Sequence, residues 1–192
     1  MTRVLATEAD RNAVRTVAVL MASAARTAPK TRGADTIQSL VIDGEDMETL
    51  ARAIEETAAE RPDITSKKFL RDAHNVRASA CAVLVAVSGS PRKPENPMDC
   101  GACGFGTCSN LVNARSKRGT ATDFLGPVCM YASVDLGIAL GSAERVAAEH
   151  NVDNRIMRTI GVAAARLRWL DADVVIGIPL SVTGKNIYFD RG

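Results

Sequence analysis

Four of the five cysteines lie in one glycine-rich segment, and their spacing limits what the chain can fold into more than any other feature. The spacing is C-x2-C-x4-C-x20-C, formed by Cys100, Cys103, Cys108 and Cys129. Glycines at positions 101, 104 and 106 let the backbone wrap closely, with positive φ where needed. Three soft thiolates on a short loop and a fourth from a distant residue suit a 4Fe-4S cluster. We therefore predict a cluster-binding insertion over about residues 97–130.

The same cysteines allow other interpretations. A structural zinc site also takes four thiolates, although such sites more often pair two C-x2-C knuckles and this chain has one. A disulfide framework is disfavoured because the number of cysteines is odd. The fifth cysteine, Cys81, lies in the apolar run of residues 80–87. We interpret it as a small buried side chain in a strand.

The composition is that of an ordinary globular chain of 192 residues, which we interpret as a single domain over residues 1–192. The 24 basic and 22 acidic residues leave a formal charge of +2, so no general field attracts nucleic acid or anionic lipid. No apolar run reaches the roughly eighteen residues of a membrane span, and the first residues lack the pattern of a signal peptide. We expect a cytoplasmic protein with no nucleic-acid and no membrane partner.

Hydrophobic periodicity predicts helices that alternate with apolar strands. The predicted helices cover residues 7–25, 46–60, 64–75, 135–150 and 153–170. The predicted strands cover residues 37–42, 80–87 and 173–178. Their unequal spacing, without an internal repeat, indicates an α+β fold in which a mixed sheet is flanked by helices.

Two of these helices carry further expectations. Gly137 and Gly141 lie one turn apart and permit the close approach of another backbone. In the helix over residues 153–170 we expect Ile156 to point inward. Asn154 and Arg155, next to the start of that helix, either cap it or project into a cofactor pocket.

The cysteine segment resembles the iron-sulfur motif of the corrinoid iron-sulfur protein and of the B subunit of Rnf-type electron-transfer complexes, although the gap before Cys129 is longer here. The whole chain resembles the uncharacterised bacterial and archaeal ferredoxin-domain family. Its members carry CGxCGxxTC and end in a GIPLSxxGKNIxFDR-like tail. The stretches here are CGACGFGTC from Cys100, DLGIALGSA from Asp135, VDNRIM from Val152 and GIPLSVTGKNIYFDR from Gly177. This resemblance implies a cluster but no particular reaction.

A fainter resemblance is to flavin nitroreductases. The stretch RTAPK from Arg26, followed by a strand and a helix, is similar to their APSxxN loop, although the loop Asn and the Arg-Arg-Ser motif are absent. The resemblance implies an α+β homodimer with flavin mononucleotide (FMN) between its subunits. The cofactor-binding candidates are then the basic and amide side chains of the loop, of the 153–155 cluster and of the tail. These are Arg26, Lys30, Arg32, Asn154, Arg155, Lys185 and Arg191.

Three functions follow as hypotheses. The first is a cluster-bearing reductase that passes electrons to a flavin or a small-molecule substrate, supplied by a partner of ferredoxin or flavodoxin type. The second is a non-enzymatic electron carrier or redox sensor, and the third is a structural zinc protein. Arg115, Lys117 and Arg118, just after the cysteine loop, are either a solvated helix face or a docking patch for an acidic partner.

Overall fold

The computed structural model describes residues 3–119 and 123–189. The helices are α1 (Ala6–Thr27), α2 (Glu45–Ala59), α3 (Asp63–Ala78), α4 (Cys108–Ser116), α5 (Met130–Glu149) and α6 (Arg158–Arg166). The strands are β1 (Ile37–Asp43), β2 (Cys81–Val87), β3 (Asp153–Asn154) and β4 (Val174–Ser181). The α+β class expected from the sequence is confirmed.

The four strands form one sheet in the order β1-β2-β4-β3. Each of the three pairings is antiparallel, so the expected mixed sheet is wrong in this respect. For the pairing of β1 with β2, the reason is that two helices, α2 and α3, lie between the strands. A single helix between two strands returns the chain so that the second strand runs parallel to the first. A second helix reverses the chain once more, so the next strand runs antiparallel.

The sheet separates two apolar clusters, and β2 is buried along its whole length. Alternate β2 residues point to opposite faces, because side chains in a strand alternate. Val83 and Val85 face α1 and α5, while Ala82 and Leu84 face α2, α3 and α6. Burial of each large apolar side chain in these clusters contributes about 1.5–3 kcal/mol. Cys81 is 2% exposed on the α1 and α5 face, as its apolar surroundings indicated.

Helix α6 lies directly on β4 because Gly161 has no side chain. A Cβ atom built on Gly161 would lie 1.7 Å from the carbonyl oxygen of Val175. The expected glycine contact on α5 is not found, because nothing lies within 4 Å of a Cβ built on Gly137 or Gly141. Any close approach at these two glycines must therefore come from outside the described part of this chain.

The expected helix over residues 153–170 is wrong in its first turn. Asp153 and Asn154 form strand β3, which pairs with the end of β4. Met157 then bridges to Gly177, and α6 begins only at Arg158. Ile156 is 44% exposed rather than buried, and Asn154 and Arg155 do not cap the helix. The backbone of this segment finds partners in the sheet, and a sequence pattern does not show that competition.

Among the described helices, none combines the length and the apolar character needed to cross a membrane. The cysteine segment connects β2 to α5 and contains α4. It therefore departs from the end of the central strand, which places it at one edge of the sheet.

Candidate functional site

The cysteine loop has the left-handed backbone expected of its glycines. Gly101, Gly104 and Gly106 have φ values of 70°, 85° and 71°. Asp99 also has a positive φ, 45°, which costs a residue with a side chain about 1–2 kcal/mol. Its carboxylate compensates in part, because Oδ1 accepts a hydrogen bond from the Cys108 backbone N–H at 2.6 Å. The loop is thereby closed from Asp99 to Cys108.

Cys108 and Cys129 both lie at helix N-termini. Cys108 is the first residue of α4, and the Thr107 hydroxyl caps that helix by accepting from the Asn110 N–H at 3.2 Å. Cys129 is the N-cap residue of α5, and its own N–H donates to the Gly89 carbonyl at 2.8 Å. The N-terminal end of a helix favours negative charge, so both positions favour a thiolate ligand.

The four thiols differ in their exposure. Cys100 is exposed, Cys103 and Cys108 are half-buried, and Cys129 is buried. Cys103 packs against the same apolar cluster that contains Cys129. Within residues 3–119 and 123–189, no group of three or more His, Cys, Asp or Glu side chains is arranged to hold a metal ion. The described loop therefore does not bring the thiols together in coordinating geometry.

Asp173 joins the cysteine segment to the sheet. Its Oδ2 accepts from Gly89 N–H at 2.6 Å and from Arg115 Nη2 at 2.7 Å, and its Oδ1 accepts from Arg118 Nη1 at 2.7 Å. Burial opposes the charged form of the carboxyl. The Gly89 N–H and the two arginines outweigh that cost and hold the pKa of Asp173 below its ordinary value.

The contacts with Asp173 correct the expectation for the basic residues after the loop. Arg115 has only 10% of its side chain exposed and also donates to the Pro127 carbonyl at 2.6 Å. Arg118 is partly exposed and bound to the same carboxylate, and only Lys117 is fully on the surface. Arg115 and Arg118 thus fasten α4 to the sheet instead of forming a solvated face or a docking patch.

A buried ion pair connects the loop after β2 to α5. Arg92 and Asp135 are 2% and 1% exposed, and Arg92 Nε donates to Asp135 Oδ2 at 2.9 Å. Asp135 Oδ1 accepts from both the backbone N–H and the hydroxyl of Thr31 at 2.8 Å. Arg92 Nη1 donates to the Ser88 and Ser90 carbonyls, on either side of the residue that binds Cys129. Sequence reasoning missed this network, because a lone Asp in an apolar helix gives no signal of its distant partner.

The loop cations expected to hold a flavin phosphate are engaged by the protein. Arg26 pairs with Asp35 at 2.8 Å and lines a cavity of about 580 Å³ at the edge of the sheet. Lys30 is nearly buried and donates to the Ala28 carbonyl at 2.8 Å. Arg32 donates to the Asn96 carbonyl. Of the three, only Arg26 faces this cavity.

The remaining candidates lie elsewhere. Arg155 lines a second cavity, of about 250 Å³, and Asn154 donates to the Val152 carbonyl at 3.2 Å. Lys185 lies in the tail after β4 and lines neither of these two cavities. Arg191 lies outside the described residues. The structure therefore distributes the described candidates over several sites and does not gather them around one.

The tail is fixed to the body of the protein by Tyr188, which sequence reasoning did not single out. Tyr188 is 1% exposed, and its hydroxyl lies 2.8 Å from the Ser79 hydroxyl. Burial raises the pKa of Tyr188 above its ordinary value. Its backbone carbonyl accepts a hydrogen bond from Arg155 Nη1 at 3.1 Å. The tail thus helps to position the residue that lines the second cavity.

Comparison with known sequences identifies the family. The ferredoxin-domain family, described as "uncharacterized protein containing a ferredoxin domain" (DUF2148), matches residues 125–191. A relative from Archaeoglobus fulgidus, named "uncharacterized protein", is 46% identical over 178 residues, or 93% of this chain and 91% of the relative. The chain belongs to the ferredoxin-domain family. The family match includes Cys129, whereas the other three candidate ligands precede it.

Comparison with solved structures identifies the fold of this ferredoxin-domain protein as nitroreductase-like. A nitroreductase with bound FMN from Desulfitobacterium hafniense superposes with a TM-score of 0.55 and 13% identity, over 88% of this chain and 78% of that chain. A nitroreductase from Lactococcus lactis in complex with nicotinic acid gives a TM-score of 0.54 and 11% identity, over 89% and 79%. At such low identity these likenesses concern the fold.

Proposed function

We propose that this protein is a redox protein that holds one 4Fe-4S cluster through Cys100, Cys103, Cys108 and Cys129. The observation that carries the proposal is the combination of a closed left-handed glycine loop with two cysteines at helix N-termini. Four thiolates match the ligand set of such a cluster, and the family description supports its presence in this chain. A bound cluster supplies one-electron transfer.

Cluster binding requires the loop to close toward Cys129. Cys129 is held by the Gly89 carbonyl and packs in the core, so it forms the fixed side of the site. Cys100 and its loop are exposed, and the glycines between the first three cysteines permit a change of backbone path. We infer that Cys129 and α4 are preorganised, whereas the Cys100–Cys103 part assembles around the cluster.

We further propose that FMN is a second cofactor, as in the D. hafniense structure. A flavin stores two electrons, so it converts single electrons from a cluster into two-electron reduction of a small-molecule substrate. Arg26 and Arg155 are the best placed of the seven candidates, because each lines a cavity. Lys30 and Arg32 would have to exchange a carbonyl partner for the phosphate.

A second candidate function is an electron carrier without its own reaction. The observation in its favour concerns the cavity of about 580 Å³ that Arg26 lines. The positive charges of its three arginines are already neutralised within the protein, because each arginine is paired with Asp35 or Asp173. In either case we propose a cytoplasmic protein that receives electrons from a ferredoxin or flavodoxin.

We also propose a homodimer, because α1 and α5 expose apolar side chains: Val19, Leu20, Val134 and Ile138 are 41–57% exposed.

Anaerobic purification with quantification of iron, sulfide, zinc and FMN tests these proposals. We expect about four iron and four sulfide per chain, and visible absorbance that dithionite bleaches. Zinc without iron would overturn the cluster and favour a structural metal site. FMN that copurifies and is reduced through the cluster supports the reductase, whereas a cluster with no flavin uptake favours the carrier.

A further inference from the structure

A small cavity between α3 and the segment that enters α6 is lined by a concentration of positive charge. Its volume is about 250 Å³. Four cations and one carboxylate line it: Lys68, Arg71, Arg155, Arg158 and Asp72. The net charge of this lining, +3, exceeds the formal charge of the whole chain, +2. Like charges held close together repel one another, so an anion that enters the cavity is stabilised.

The carboxylate near these cations is already shared within the protein. Asp72 is 5% exposed; Oδ1 accepts from Arg71 Nη2 at 2.7 Å and Oδ2 accepts from the Thr159 hydroxyl at 2.7 Å. Asp123, beyond the cavity, is shared between Arg61 and Arg158. Because the single negative charge of Asp123 is shared by two guanidinium groups, the positive charge of Arg158 is only partly balanced.

Lys68 and Arg155 carry the charge that is available to a ligand. In the described part of the chain, Lys68 has neither an ion pair nor a hydrogen bond. Arg155 donates to the Tyr188 carbonyl at 3.1 Å, and its guanidinium lies 5.5 Å from the centre of the Phe189 ring. Neither contact neutralises a charge. Both contacts limit the rotation of the guanidinium, so the donor is held in place before a ligand arrives.

The apolar floor of the cavity is the ring of Phe69. Phe69 is fully buried, and Arg61 and Arg158 lie over its ring, at 4.8 Å and 5.6 Å from the ring centre. The arginines therefore hold defined positions around an apolar base. Planar guanidinium groups at fixed positions can bind phosphate oxygens through paired hydrogen bonds.

From this geometry we propose that the cavity binds a phosphoryl group, carried by a substrate or by a nucleotide cofactor. The sequence contains no Arg-Arg-Ser or P-loop phosphate motif, and three of the four cations were not candidates from the sequence. The site requires no iron. The proposal therefore goes beyond the cluster and stands or falls separately from it.

Isothermal titration calorimetry of the purified full-length protein, with inorganic phosphate and with pyrophosphate as ligands, tests the site. We expect both to bind, with pyrophosphate tighter because it carries more charge. Replacing Lys68 and Arg155 together by Gln should weaken binding by about tenfold or more, since each lost hydrogen bond between charged groups removes a large part of the affinity. Lys68→Gln alone should weaken it in the same direction, and its exposed position makes misfolding a poor explanation of the loss.

Lys67→Gln is the matched control, because Lys67 is the exposed neighbour on α3 that does not line the cavity. Its binding should equal that of the wild type. Competition identifies the ligand that carries the phosphoryl group. If FMN displaces pyrophosphate and riboflavin does not, the cavity binds the phosphate of the flavin. If pyrophosphate still binds in the presence of saturating FMN, the cavity binds another phosphorylated ligand. Absence of phosphate and pyrophosphate binding in the wild type, or equal binding by the double variant, would overturn the proposal.

Discussion

At the scale of single residues, Asp173 connects three parts of the chain that are distant in sequence. Its carboxylate binds the Gly89 N–H, and the Gly89 carbonyl binds the N–H of Cys129. The same carboxylate holds two arginines of the cysteine segment. A side chain that never touches a thiol thus fixes the segments that carry Cys108 and Cys129.

We predict that Asp173→Asn lowers the free energy of unfolding of the metal-free protein by about 2–3 kcal/mol at pH 7, because Arg115 loses its charged partner in a nearly buried place. The pKa of Asp173 is lowered by folding. Its contribution is therefore present above the ordinary carboxyl value of about 4 and is lost as the pH falls through the folded pKa. Urea titrations at neutral and acidic pH should show that wild type and variant converge in acid. Asp171→Asn, an exposed neighbour, should show no such difference.

The cysteines allow a matched comparison at the same scale. Replacing Cys108 or Cys129 by Ala should reduce bound iron to well below half of the wild-type value, because each removes one of four ligands. Cys81→Ala should retain the full iron content. Burial raises the pKa of the Cys81 thiol to about 12, so this cysteine is a poor metal ligand at neutral pH. Iron loss in Cys81→Ala equal to that in Cys108→Ala would show that general instability, not ligand removal, explains the result.

At the scale of elements, helix α6 depends on direct contact with strand β4. Gly161→Ala would place a methyl group against the Val175 carbonyl, a backbone atom that cannot move without the strand. We predict a loss of at least about 3 kcal/mol in the free energy of unfolding, measured by chemical denaturation. Gly184→Ala is the control, since nothing lies within 4 Å of its added Cβ. Equal stability of the two variants would contradict the described packing.

Some helices and strands were predictable from the sequence, and others were not. The helix predicted over residues 7–25 is found as α1, and its periodic apolar residues form its buried face: Val14, Val17, Ala18, Met21 and Ala25. The apolar run at β2 was likewise a reliable signal of a central strand. The start of α6 was not predictable, because Asp153 and Asn154 pair with β4, and long-range pairing leaves no local pattern. The antiparallel order was not predictable either, because periodicity indicates where a strand lies and not which strand it pairs with or in which direction.

At the scale of the whole molecule, we propose that the homodimer forms through the exposed face of α5 that carries Gly137 and Gly141. Ile138 and Val134 are exposed beside Gly137 and Gly141, where nothing in the described chain approaches. We predict that light scattering gives twice the chain mass of 20.3 kDa and that Ile138→Asp shifts it to the single-chain value. Ile64→Asp, 76% exposed on α3, should leave the dimer intact. A wild-type protein that is monomeric at micromolar concentration would contradict the dimer.

The candidate site was only partly predictable at this scale. The spacing of the cysteines indicated the ligands, since those residues carry their chemistry in the sequence. The cavity cations Lys68, Arg71 and Arg158 were not indicated, because α3 and α6 are far apart in the sequence and meet only in the folded protein. Charged residues on helices are usually solvated, so their convergence requires the tertiary structure.

Electron paramagnetic resonance of the anaerobically purified protein after reduction with dithionite tests whether the chain holds a 4Fe-4S cluster. We expect a signal from one reduced 4Fe-4S cluster, with about one unpaired spin per chain. The signal should be absent in Cys108→Ala and unchanged in Cys81→Ala. A reduced, folded wild-type protein that gives no iron-sulfur signal and contains stoichiometric zinc would contradict the proposed cluster.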